Sequence, residues 1–120
     1  MISVKLINRT EFLALPAGTV YAKWEPCCFG DLQIKGESTE YNDFWYQSLI
    51  EIDPVDEKYQ DACEIFYTDK RTTLDFHWQG RDGLYNTKQL FAVFESHEVS
   101  GLIERLQQAL TDGYKNEKTI

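Results

Sequence analysis

The pattern of apolar and polar positions divides the chain into short alternating runs and two longer helical stripes. Val20, Ala22 and Trp24 alternate with Tyr21, Lys23 and Glu25, and Leu32 and Ile34 alternate with Asp31, Gln33 and Lys35. A period of two is the mark of a strand with one buried face. Pro26 and Gly30 interrupt the two runs, which predicts an antiparallel hairpin with a longer, cysteine-containing loop. Ahead of it, Ile2, Val4 and Leu6 alternate with Ser3 and Lys5 and predict a first strand. Thr10 is placed to cap a short helix carrying Phe12, Leu13 and Leu15, which Pro16 and Gly18 end.

Beyond the hairpin, 36–42 is polar and reads as a loop. Phe44 to Ile52 is apolar and rich in aromatic and β-branched residues, which predicts a third strand of the sheet. Asp53 and Pro54 are a favoured cap and first residue of a helix over about 53–70. Val55, Tyr59, Ala62 and Phe66 recur there at steps of four, three and four, the spacing of one buried stripe. Leu74, Phe76 and Trp78 alternate with Asp75, His77 and Gln79 and predict another strand, with Gly80-Arg81-Asp82-Gly83 as a turn after it. Gln89 to Glu95 is nearly continuous in apolar residues, as in a central strand covered on both faces.

The second helix, about 96–111, has the fullest pattern. Ser96 is its expected cap, Glu98 sits in its first turn, and Gly113 follows its end. Val99, Leu102, Ile103, Leu106, Ala109 and Leu110 form one apolar stripe. That stripe is expected to be buried on the core; exposed in a monomer, it would instead mark a homodimer interface. The resulting expectation is a single α+β domain over 1–113, with an antiparallel sheet of about five strands, two main helices on one face, and a mobile tail over 114–120.

Composition narrows the function classes. The 120 residues carry a net charge of −8, which excludes a non-specific nucleic-acid binder or a protein drawn to anionic membrane surfaces. No apolar run approaches a membrane span, and the N-terminus lacks the layout of a signal peptide, so a cytoplasmic protein is expected. The three cysteines, Cys27, Cys28 and Cys63, are an odd number and read as reduced thiols, at least one of them packed in the core. A metal site from Cys27, Cys63, His77 and His97 is conceivable, but the spacing is unlike that of zinc sites, and neither metal nor cofactor is expected. There is no nucleophile elbow, no phosphate-cradling glycine loop and no His-Glu-x-x-His, so an enzyme is not expected.

The acidity is local. Between Glu37 and Asp69 stand Glu37, Glu40, Asp43, Glu51, Asp53, Asp56, Glu57, Asp61, Glu64 and Asp69, with Lys58 the only basic residue; the segment carries −9 and the remainder about +1. Asp53, Glu57, Asp61 and Glu64 fall on one face of the expected middle helix, although like charges at that spacing repel. One reading is a solvated face that keeps the chain soluble. The sharper reading is a docking surface, comprising Glu40, Asp43, Asp53, Asp56, Glu57, Asp61 and Glu64, for a protein with a basic surface. Carboxylates about 6 Å apart along a helix can imitate a row of phosphates.

A second constellation competes with the acidic face. Lys23 and Trp24 on the hairpin, with His77, Trp78 and Arg81 later in the chain, combine aromatic rings and cations, the usual means of holding a base and its phosphate. They define a candidate small-ligand or nucleotide-signal pocket, although alternation sends Lys23 and Trp24 to opposite faces. A structural or assembly role is a third reading.

Two stretches also carry a likeness. Thr10 to Tyr21, reading Thr-Glu-Phe-Leu-Ala-Leu-Pro-Ala-Gly-Thr-Val-Tyr and continuing to Glu25-Pro26-Cys27, resembles the opening of small proteins encoded by tailed bacteriophages and prophages. Gly80-Arg81-Asp82-Gly83, and Gln89-Leu90-Phe91-Ala92-Val93 before a final helix, are similar to the same group. The likeness rests on turns, strand residues and a capped helix over about half the chain, and it transfers no functional residue. It implies a bacterial cytoplasm and a phage accessory role, such as binding and disabling a host restriction or CRISPR protein.

Overall fold

The computed structural model describes residues 3–52, 62–83 and 86–115. Strands β1 (Val4–Ile7), β2 (Val20–Glu25), β3 (Cys28–Ser38), β4 (Phe44–Ser48), β5 (Gly80–Asp82) and β6 (Leu90–Phe94) form one sheet in the order β1-β6-β2-β3-β4-β5, with every pairing antiparallel. Helices α1 (Arg9–Leu13), α2 (Ala62–Asp69) and α3 (Ser96–Gly113) complete an α+β architecture of the expected class. The sheet has six strands rather than five.

Register assigns the faces. Tyr21 lies opposite Val93 and Gln33, Lys23 opposite Phe91, Lys35 opposite Tyr46, and Phe44 opposite Asp82, so all share one face. On that face Phe12 of α1 meets Phe91 in a stacked pair at 4.0 Å, and Tyr21 and Phe44 edge-on at 4.6 and 5.0 Å. These four rings are fully buried and make the core.

Their closeness requires a curled sheet. Two strands separate β4 from β6, and strands lie about 4.8 Å apart, so a flat sheet would hold Phe44 and Phe91 about 14 Å apart. Their ring centroids are 6.0 Å apart. Bulges between Ala22 and Trp24 and between Lys35 and Ser38 supply the bend. The result is a curled open sheet whose concave side is filled by aromatic rings.

Local chemistry departs from expectation at several places. Asn8, not Thr10, caps α1: its side chain accepts from the Glu11 amide at 2.9 Å and the Glu11 carboxylate returns the bond, a full capping box. The β2–β3 connection is a tight turn of Pro26 and Cys27 rather than a longer loop, with proline first and a positive φ of 73° at Cys27 second, the type II pattern. Strand β3 runs on through Gly36 to Ser38, and β4 stops at Ser48, short of Ile52, which makes only an isolated bridge to Leu74.

The region 74–83 is inverted relative to expectation. The alternating residues 74–78 are not a strand, because the Asp75 carboxylate accepts from the His77 amide at 2.8 Å and turns the chain. Gly80–Asp82, expected as a turn, is the edge strand β5. Gly80 lets Trp78 fold over it, since a Cβ there would stand 2.5 Å from the indole ring. Trp78 thereby reaches Tyr46 edge-on at 5.5 Å.

Both helical stripes also differ from expectation. Of the middle helix, Ala62–Asp69 is described; Asp53, Val55, Asp56, Glu57, Tyr59 and Asp61 lie outside the described residues. Phe66, expected on the core, is exposed. In α3 the cap is Glu95 rather than Ser96, and Gly113 closes the helix rather than following it. No residue of α3 is buried: Val99 is half-buried, and every residue from Gly101 to Lys115 is exposed. The expected burial of Leu102, Ile103 and Leu106 is therefore overturned. A stripe at helical spacing states that a helix has an apolar partner, but not that the partner is its own sheet.

Candidate functional site

The acidic segment was the leading candidate, and the structure divides it. Glu37, Glu40, Glu64 and Asp69 are exposed, and none of them is ion-paired among the described residues. Asp43 is different: it is buried, accepts from Thr39 Oγ1, and meets Arg81 Nη2 at 2.6 Å and Nε at 2.8 Å. Asp43 therefore ties the β4 approach to β5 and is not part of an open acidic face. Asp53, Asp56, Glu57 and Asp61 fall outside the described residues.

The Thr39 hydroxyl and then the Arg81 guanidinium hold the Asp43 carboxyl below the usual carboxylate range. A carboxyl with a depressed native pKa adds stability above its unfolded value, near 3.9, and loses that contribution as pH falls through the native value. In melts from pH 7 to 2, the wild type is expected to lose melting temperature more steeply below about pH 4 than Asp43→Asn. Parallel curves for the two proteins would contradict this role of the Asp43 carboxylate.

The aromatic and basic constellation does not assemble. Lys23 lies on the concave face, where its ammonium meets Asp82 Oδ2 at 2.6 Å. Arg81 is opposite Trp45 on the convex face and is taken up by Asp43. Trp24 packs edge-on against Phe29 at 5.1 Å, and Trp78 against Tyr46. His77 is exposed in its turn. The five residues are thus spread over two faces, and both cations are neutralised by internal carboxylates.

Lys35 and Asp82 are among the buried polar groups that the sequence does not announce. Lys35 is fully buried, donates to Gly36 O at 3.0 Å and Ser38 Oγ at 2.9 Å, and stands 5.8 Å from the Phe12 ring centroid; burial lowers its pKa. Asp82 is buried, and its second oxygen, Oδ1, has no hydrogen-bond partner among the described residues. Burial, with Asp82 and Tyr46 nearby, pushes the Tyr21 hydroxyl far above its ordinary value, and that hydroxyl donates to Gln33 at 2.7 Å. Nothing in the spacing of Lys23 and Asp82 announces their pairing. The capping box, by contrast, stands in the sequence as Asn8-x-x-Glu11.

An open cleft of about 440 Å³ lies across β3 and β4, lined by Gly18, Ile34, Glu37, Trp45, Tyr46 and Gln79 among others. Of the charged groups on it, Lys35 is turned inward and Glu37 remains exposed. Such a lining offers no cation for a phosphate and no nucleophile–base pair.

Among the described residues, no group of three or more His, Cys, Asp and Glu is placed to hold a metal ion. Cys27 and Cys28 are free and exposed, so neither is the core cysteine that was expected. No described helix is long and apolar enough to cross a membrane. No protein-family model, no curated protein and no solved structure matches the chain.

Proposed function

We propose that this chain is a non-enzymatic protein that docks on a basic protein surface through its acidic segment, with Glu37, Glu40, Asp53, Asp56, Glu57, Asp61 and Glu64 as the contact set. The observation that carries this reading is the state of the charges. The chain's described ion pairs spend Lys5, Lys23 and Arg81 on Glu95, Asp82 and Asp43, and leave Glu37, Glu40, Glu64 and Asp69 exposed, with no ion pair among the described residues, within a segment of −9. Unpaired surface carboxylates of one sign set up a field that attracts and orients a cationic partner. The partner of fitting chemistry is a nucleic-acid-handling protein, whose lysine- and arginine-lined groove the carboxylates would fill. In the phage setting that the sequence likeness implies, that partner is a host defence protein.

The experiment is capture from a bacterial host lysate on immobilised wild-type chain and on the variant with Glu57, Asp61 and Glu64 changed to Lys, followed by mass spectrometry. The wild type is expected to retain a basic protein that the reversed chain loses and that elutes with rising salt. Equal retention of the same protein by both chains would overturn the reading.

A further inference from the structure

The exposed stripe of α3 has a second property besides being apolar: it is complementary to itself. We propose that two copies of this chain pair through antiparallel α3 helices about a two-fold axis passing between Gln107 and Gln108.

Val99, Leu102, Leu106, Ala109 and Gly113 recur at alternating steps of three and four, the spacing of a coiled-coil seam. Leu102, Ile103, Leu106 and Leu110 are 36%, 62%, 71% and 56% exposed, so the seam is uncovered in the single chain. An isologous interface requires each residue to find its counterpart when the helix is turned end for end. One antiparallel register does this from Leu102 to Gly113. It sets Leu106 against Ala109 and Leu102 against Gly113 of the second copy, a large residue facing a small one in each layer. Ile103 then flanks Leu110.

The same register settles the charges. Arg105 has Gly101, Leu102, Gln108 and Ala109 at the neighbouring helical positions, so no carboxylate of its own helix lies within reach. Asp112 stands two turns further along the same side and, among the described residues, accepts from Gln108 at 2.8 Å. In the antiparallel pair Arg105 of each copy faces Asp112 of the other, giving two equivalent ion pairs at the rim. Glu104, Gln107, Gln108 and Thr111 face outward. A parallel pair would instead place Arg105 beside Leu110 of the other copy and leave both Asp112 groups unanswered.

Overlap from Leu102 to Gly113 spans about 18 Å. A seam of that length lies at the small end of specific interfaces, below about 1,200 Å² in total, so a reversible dimer with a micromolar dissociation constant is expected.

The test is sedimentation of the full chain from low to high micromolar concentration, with four proteins. Wild type is expected to pass from monomer to dimer. Leu106→Glu should stay monomeric at every concentration with a nearly unchanged melting temperature, because Leu106 is 71% exposed in its own chain. Arg105→Asp places two carboxylate pairs across the axis and should weaken association roughly tenfold. Arg105→Asp with Asp112→Arg restores opposite charges and should recover wild-type association. A wild type that is monomeric throughout would overturn the proposal, and if Leu106→Glu then also melted lower, α3 would belong to its own sheet. Dimerisation with no rescue in the double variant would overturn the antiparallel register.

Discussion

Phe12→Ala is expected to cost about 3–5 kcal/mol and to bring the domain close to unfolding at room temperature. Phe12 stands closer to each of the other three core rings than they stand to one another, stacking on Phe91 at 4.0 Å and meeting Tyr21 and Phe44 edge-on at 4.6 and 5.0 Å, against 6.0 Å among those three. It is fully buried and arrives on α1, a helix of only five residues. The curled sheet closes around this side chain, so its removal leaves a cavity that the bulged strands are poorly placed to fill. Leu106→Ala in α3 is the contrast. The sequence stripe alone assigns it a core-like loss, but with 71% exposure it should leave monomer stability nearly unchanged. Urea denaturation of both variants, below the dimerisation range, separates the cases. A loss under about 1 kcal/mol for Phe12→Ala would contradict the aromatic core.

Lys23→Met is expected to cost about 2–3 kcal/mol. Asp82 is buried, and its only described ion pair is to Lys23, at 2.6 Å across a sheet curled enough to bring β2 to β5. Removing one member of a buried pair strands the other charge, at about 3–5 kcal/mol for full burial. The Lys23 side chain is 35% exposed, so solvent reaches the pair and the loss should fall below that range. Changing Asp82 to Asn in the same chain should recover part of the loss, because a neutral amide tolerates the site better than a lone carboxylate. Thermal melts of the single and double variants decide it. A single variant as stable as wild type would show that the ion pair does not hold β5 in place.

That pairing also explains how far the sequence could lead. Alternation locates β1, β2 and β3, and apolar runs locate the start of β4 and β6. In β1 to β3, however, the apolar positions Val4, Leu6, Val20, Ala22, Leu32 and Ile34 lie on the face away from the aromatic core, and Tyr21, Gln33 and Lys35 lie on the core's side. Alternation fails over 74–82, where local chemistry overrides it. Asp75 turns the chain at His77, and Trp78 needs the bare Gly80 more than a place in a ladder. Periodicity finds α3 over almost its whole length, yet gives it the wrong neighbour, since Leu102 and Leu106 have the same spacing whether they face a sheet or a second helix. The candidate ligand residues mislead for a related reason. Lys23 and Arg81 look available in one dimension, and only folding brings Asp82 and Asp43 to them. The acidic run from Glu37 to Asp69 is plain in the sequence, but the withdrawal of Asp43 from it is not.

The measurement that bears most directly on the docking claim is the association rate of the captured partner with three forms of the chain over a salt series. The forms are wild type, the Glu57, Asp61 and Glu64 to Lys variant, and a control with Trp24 and His77 changed to Ala. That control alters the aromatic constellation without breaking the Lys23–Asp82 or Arg81–Asp43 pair. Wild type and control should associate rapidly and slow steeply with salt, while the reversed chain, with its melting temperature nearly unchanged, should not associate measurably. Normal association of the folded reversed chain, with loss of binding in the control, would contradict the account.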